Sequence, residues 1–144
     1  MVLKKAILNY ENFEVIAVYD ENLFKGFCVL ANHKNISHIL FIAINKKIRG
    51  NNLGSKLLKY VCETKKDKVI LADLEVPNNH CFDNSRERRI KFYVKNGFKK
   101  SRINYIWNND EFYIYEKNGE VSEKSFWDFF SYLQKTYNLP DEFI

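Results

Sequence analysis

Apolar and polar positions set out the chain's elements before any other property is considered. Phe13 to Tyr19 (FEVIAVY) is rich in β-branched and aromatic residues and reads as a strand. Asp20-Glu21-Asn22 marks a turn, and Phe24 to Ala31 (FKGFCVLA) reads as a second strand. After a second turn over Asn32 to Asn35, His38 to Ile44 (HILFIAI) is almost wholly apolar and reads as a central strand. Short turns between the three predict an antiparallel meander.

The period then lengthens. Leu53, Leu57, Leu58 and Val61 recur at helical spacing. Val69 to Val76 (VILADLEV) returns to a buried-strand pattern, so strand, helix and strand form a crossover with parallel strands. A further helix starts near Asn84, which with Glu87 matches a capping box. Ile90, Tyr93 and Val94 are expected to share its apolar face, and Asn96-Gly97 to end it. Ile103, Tyr105 and Trp107 alternate, the turn at Asn108-Asn109-Asp110 follows, and Phe112 to Tyr115 completes a hairpin. A last helix spans Ser122 to Tyr137, with Phe126, Phe129, Phe130 and Leu133 on one face and Pro140 beyond its end. The expected class is α+β: a mixed, mainly antiparallel sheet with a central parallel strand pair, flanking helices and a C-terminal helix.

The 144 residues, without repeat or linker composition, are expected to form a single domain over 1–144. The three cysteines, Cys28, Cys62 and Cys81, are odd in number and form no C-x-x-C pair. His33 and His38 lack metal-ligand spacing, so no metal site is expected. Such cysteine use, no apolar leader at the N-terminus and no stretch long enough to span a bilayer point to the cytoplasm and to no membrane partner. Net charge is +5, but it is uneven. Residues 46–68 carry eight basic and two acidic side chains, and 86–102 carry eight and one. Two basic blocks suit an anionic ligand, either a nucleotide-like cofactor or a nucleic acid.

Chemistry concentrates in Ile42 to Leu58, IAINKKIRGNNLGSKLL. An apolar strand runs into a basic, Gly-bearing loop that opens a helix. Unpaired N–H groups and the positive end of the helix dipole make an anion site there. Gly50 and Gly54 allow close approach, and Arg49 offers a fork suited to phosphate. The spacing fits neither a P-loop nor a dinucleotide fingerprint. Arg49-Gly50-Asn51-Asn52-Leu53-Gly54 resembles instead the R/Q-x-x-G-x-G/A loop of the GNAT acetyltransferase superfamily, with Asn52 where that family usually has Gly. Asn tolerates positive φ better than other non-Gly residues. Arg89 to Lys99 (RIKFYVKNGFK) resembles the family's second signature and follows in the expected order.

The resemblance implies an N-acetyltransferase in which an amine attacks acetyl-CoA, the co-substrate, directly. It implies pyrophosphate contacts from Arg49, Gly50, Asn51, Asn52, Leu53, Gly54 and Ser55, and pairing of Ile42, Ala43 and Ile44 with the pantetheine arm. Tyr93 falls at the family's general-acid position. The usual cofactor-binding Asn is replaced by Arg86, for which Asn84 is a candidate substitute, and Lys95 is expected to bind the cofactor as well. Glu75, on an apolar strand beside Asp73, is the candidate base, against the alternative that Arg or Lys partners both carboxylates. Only twelve residues precede Phe13, so the family's N-terminal strand and two helices are expected to be shortened. The last helix would favour a homodimer if its aromatic face were exposed. Two other readings stay open, a basic nucleic-acid-binding module and an acyl-CoA-binding protein without catalysis.

Overall fold

The structure is a computed structural model that describes residues 2–7 (backbone only), 12–45, 47, 52–78 and 83–137, with no side chains for 136 and 137. Its centre is one seven-stranded sheet in the order β1-β2-β3-β4-β5-β7-β6. The strands are β1 (Val2–Ile7), β2 (Phe13–Asp20), β3 (Leu23–His33), β4 (Ile36–Ile44), β5 (Val69–Glu75), β6 (Lys99–Trp107) and β7 (Asp110–Lys117). The helices are α1 (Leu53–Thr64), α2 (Ser85–Lys95) and α3 (Glu123–Tyr137). All neighbours are antiparallel except β4 and β5, which are parallel and central, as the crossover pattern requires.

The turns follow from residues that accept positive φ. Glu21 and Asn22 stand at 50° and 65°, and Asn108 and Asn109 at 52° and 66°. Two successive residues of this kind give the tight hairpin turn whose twist matches that of the flanking strands. The chain returns from β6 as β7, which inserts beside β5 rather than adding at the edge.

Helices cover both faces. Leu57, Leu58 and Val61 of α1 and Tyr93 of α2 pack with Ile16, Cys28, Ile70 and Leu74 on one side. Phe126, Phe129 and Leu133 of α3 pack with Ile36, Leu71 and Ile114 on the other. Thus most of the aromatic face expected on α3 is used within its own chain. The exposed remainder is chiefly Trp127, so the ground for a homodimer is narrower than the sequence suggests. Ser122 caps α3 through its Oγ, which accepts from the Ser125 N–H at 3.1 Å.

Two expectations need correction, and one strand adds to the elements expected. A strand, β1, precedes Phe13 and pairs with β2 from Val2↔Tyr19 to Ile7↔Glu14. The sequence VLKKAI hides it because paired lysines break the apolar alternation, as is common on an edge strand. Asn84 occupies the N-cap of α2 but makes no side-chain cap bond; Asp83 Oδ1 instead accepts from the Ser85 N–H at 3.0 Å. Val94 is exposed, leaving Ile90 and Tyr93 as the inward pair. The predicted stop holds: Gly97 has φ 88°, and the Phe98 N–H donates to the Tyr93 carbonyl at 3.0 Å.

Candidate active site

β4 and β5 pair only from Ile36↔Val69 to Ile39↔Ala72. Beyond that point β4 runs on to Ile44 and β5 to Glu75 without pairing to each other. The strands part, and among the described residues the edge of Leu40–Ile44 that faces β5 has no strand partner. A bulge helps to turn β4 here. Val29 opposes Phe41 and Leu30 opposes Ile39, so Leu40 is the extra residue.

A cleft of about 500 Å³ lies beside the unpaired end of β4, and Glu75 stands outside its lining. Ile42 and Ile44 form its β4 wall, and Asn52, Leu53, Gly54 and Ser55 form the end at α1. From α2 come Phe92, Tyr93 and Lys95, and farther along the helix Ser85, Arg88 and Arg89. Most of the predicted site residues therefore meet in one place. Ala43 is exposed and outside the lining, as alternation along a strand requires, and Asn84 stops short while Ser85 reaches the cleft. Arg49, Gly50 and Asn51 lie outside the described residues, as does Cys81.

The α1 end of the cleft is prepared for an anion. Asn52 adopts φ 55° and ψ 28°, the left-handed conformation, without a side-chain cap bond. The first turn holds no acidic residue, and Lys56 N–H bonds back to Asn52 O at 2.9 Å. The earlier N–H groups of the helix have no cap to satisfy them among the described residues, so the dipole's positive end stays open. Gly54 lets the turn sit against α2: a Cβ there would stand 3.3 Å from the Phe92 ring. Ser55 Oγ accepts from Asn96 Nδ2 at 3.1 Å, tying the two helices together. A groove of about 580 Å³ adjoins at Ser55 and Lys95 and carries Lys56, Lys59, Lys66 and Lys117.

Tyr93 is 4% exposed, and burial pushes its phenol well above the ordinary tyrosine value, with the nearby Arg89 charge pulling weakly the other way. Its hydroxyl makes no hydrogen bond with the described residues. The carboxylates of β5 are both partnered. Glu75 Oε2 lies 2.9 Å from Arg86 Nη2, and Glu75 Oε1 accepts from Arg89 Nη1 at 3.1 Å. Arg86 also donates to Asp110 Oδ1 and the Val76 carbonyl, each at 3.1 Å. Asp73 accepts from Tyr105 Oη and pairs with His38 Nε2. Burial acts to raise the Asp73 pKa, but the His38 charge and the two hydrogen bonds outweigh it and hold the carboxyl below its usual range. This His38–Asp73–Tyr105 network escapes sequence inspection, because the three residues come from three strands. The isolated cysteines are poor nucleophiles: burial raises Cys28 to about 12 and Cys62 to about 11.

Comparison with known proteins agrees with this geometry. The family described as "Acetyltransferase (GNAT) domain" matches residues 11–100. No curated protein sequence matches the chain. Among solved structures, a protein from Bacteroides thetaiotaomicron described as a GNAT-family acetyltransferase aligns with TM-score 0.71 at 22% identity, over 92% of this chain and 77% of that one. One from Bacillus anthracis, described as a streptothricin acetyltransferase in complex with acetyl coenzyme A, aligns with TM-score 0.58 at 26% identity, over 76% and 63%. The aminoglycoside 6'-N-acetyltransferase of Enterococcus faecium aligns with TM-score 0.66 at 14% identity, over 85% and 100%.

Proposed function

The chain belongs to the GNAT acetyltransferase family, and from that premise we propose that it transfers an acetyl group from acetyl-CoA to a primary amine of a small molecule or protein. The observation that carries the reading is the parting of β4 and β5 with an uncapped helix start at its mouth. A thioester arm laid in the parting can bond to the unpaired β4 edge, much as an added strand would. Its pyrophosphate would then meet the N–H groups of Leu53 to Ser55, with Arg49, Gly50 and Asn51 in the preceding loop and Lys95 opposite. The lysine-lined groove beyond Ser55 suits the remaining anionic part of the nucleotide.

The chemistry asks for three things. The amine must shed a proton, because an alkylammonium of pKa about 10.4 is almost wholly protonated at neutral pH. Its nitrogen then forms a bond to the thioester carbon, and negative charge builds on the carbonyl oxygen. When the C–S bond breaks, its electron pair goes to sulfur, which gains a proton. Tyr93 is the proposed donor of that proton, since its phenol stays protonated and its hydroxyl is unbonded. Glu75 could accept the amine's proton only by giving up one of its guanidinium partners.

The test is a panel of amines and peptides with acetyl-CoA, following free thiol, beside calorimetric titration with acetyl-CoA alone. Micromolar binding with thiol release for at least one acceptor supports the reading. Binding without turnover on any acceptor would favour a non-catalytic acyl-CoA-binding protein. Nucleic-acid binding that falls steeply with salt, without acetyl-CoA binding, would favour the basic-module reading.

A further inference from the structure

We infer that Arg89 is a catalytic residue that stabilises the negative charge of the acyl-transfer adduct, and that Glu75 positions it rather than serving as the base. This rests on the acyl-transfer reading above.

The cleft-lining residues of α2 run along one side of the helix. Phe92, against Gly54, lies at the anion end. One turn back, Arg89 lies toward Glu75, the last residue of β5. The guanidinium thus lies about a helical turn farther along the cleft than Phe92, away from the helix start that would hold the pyrophosphate. It is also four residues from Tyr93, so the two side chains are neighbours on the helix. Their electrostatic influence on one another agrees with that spacing.

Glu75 fixes Arg89 through Nη1 only. Nη2 and Nε of Arg89 have no hydrogen-bond partner among the described residues, and the side chain is 49% exposed. A fork with one side anchored and the other side open can donate to a substrate oxygen or sulfur without reorganising at the moment of reaction. Arg86 takes the other oxygen of Glu75 and is itself held by Asp110 and the Val76 carbonyl, so the carboxylate is braced from behind. This is the arrangement of an anchor. A general base needs an oxygen within reach of the incoming ammonium, and both oxygens of Glu75 face α2.

In the step itself, the amine nitrogen bonds to the carbonyl carbon and the carbonyl π pair moves to oxygen. Collapse restores the carbonyl and sends the C–S pair to sulfur, where Tyr93 supplies the proton; the proton left on the attacking nitrogen passes to solvent water, from which the Tyr93 phenolate is reprotonated. Arg89 adds no atom and takes no proton; it lowers the cost of the charge while it exists.

The test uses Arg89→Gln, Arg89→Lys, Glu75→Gln and the double variant Glu75→Gln/Arg89→Gln, with steady-state kinetics across pH 6–10 on the best acceptor found for the wild-type chain. Partial exposure weakens the charge, so Arg89→Gln should lower kcat about 10- to 100-fold, toward the low end for loss of a stabilising donor. KM for acetyl-CoA should stay within about twofold. Arg89→Lys keeps the charge and the tie to Glu75 but loses the fork, so it should recover part of the loss. Glu75→Gln should cost less than Arg89→Gln, leave the acidic limb of the profile in place, and add nothing to Arg89→Gln in the double variant. The proposal is overturned if Arg89→Gln keeps kcat within twofold, or if it raises KM for acetyl-CoA at constant kcat. It is equally overturned if Glu75→Gln abolishes the acidic limb, which would make Glu75 the base. Wild-type turnover is read first: its absence on every acceptor defeats the acyl-transfer reading itself, whereas the variant ratios judge Arg89 alone.

Discussion

Replacing Tyr93 by Phe removes one oxygen from the cleft and little else. Among the described residues that oxygen makes no hydrogen bond, so no partner is orphaned, and the ring keeps its edge-on contacts with Phe92 and Phe98 at centroid distances of 5.3 and 5.2 Å. The melting temperature should therefore move by no more than about 2 °C. The kinetic effect can be bounded from acidity. A cysteine-like thiol has a pKa of about 8.5, and an ordinary phenol about 10. Burial lifts the Tyr93 phenol further. Proton transfer to the departing thiolate is thus uphill by at least about 2 kcal/mol and can help only while the C–S bond is breaking. The contribution belongs at the lower end for acid–base catalysis, so kcat for Tyr93→Phe should fall about 100-fold, or about 2.7 kcal/mol. KM for acetyl-CoA should hardly change. Because the folded-state pKa is raised, Tyr93 keeps its proton through pH 10, and no alkaline fall in kcat should trace to it. The assay is thiol release at saturating substrates from pH 6 to 10, beside a thermal melt. Unchanged kcat would remove Tyr93 from the acid role. An alkaline limb near pH 8 that vanishes in Tyr93→Phe would refute the argument from burial.

Three other perturbations address the frame of the site. A Cβ at Gly26 would stand 2.4 Å from the Ala43 carbonyl oxygen, so Gly26→Ala must displace the cleft end of β4; we expect a loss of about 1–3 kcal/mol in denaturant unfolding and weaker acetyl-CoA binding by calorimetry. Asn52→Gly should leave the melting temperature and acetyl-CoA affinity almost unchanged, whereas Asn52→Val should cost about 1–2 kcal/mol because of the left-handed φ, and should weaken binding. The Asp73 carboxyl is held below its ordinary pKa in the folded chain, so the unfolded state takes up more protons on acidification. Its stabilisation is present above about pH 4 and lost as pH falls through the folded value. Melting curves from pH 7 to 3 should thus fall more steeply for the wild type than for Asp73→Asn, and parallel curves would contradict the assignment.

Period and turn chemistry carried most of the fold. The alternation in Phe13–Tyr19, the run of Leu57, Leu58 and Val61, and the Asn96-Gly97 stop each appear where local physics puts them. The edge strand β1 was not legible, because two adjacent lysines interrupt the apolar alternation of VLKKAI. Nor was the insertion of β7 between β5 and β6, a matter of which edge the hairpin meets. In the site, Asn52 to Ser55 and Tyr93 were singled out by the resemblance of their segments to the two family signatures, whereas helical spacing alone marked Tyr93 only as part of an apolar face. The partners of Glu75 and Asp73 were not. Arg86, Arg89, His38 and Tyr105 reach those carboxylates from other elements, and only the fold sets that proximity.

The short seam between β4 and β5 has a mechanical side as well. Among the described residues, four residue pairs are the direct strand contact joining β1–β4 to β5–β7–β6. Where that seam ends, buried side chains rather than strand pairing hold the two half-sheets together among the described residues. A ligand arm lying in the gap would act as a stitch, extending the joint toward Ile44 and Glu75. At a hundredfold excess over its dissociation constant it would add about 2.7 kcal/mol to the folded state. The amides of Leu40–Ile44 that face the gap would then slow in hydrogen exchange. On the acyl-transfer reading, each turnover would close and reopen the seam, with the substrate arm standing for its residence time as a missing piece of the sheet.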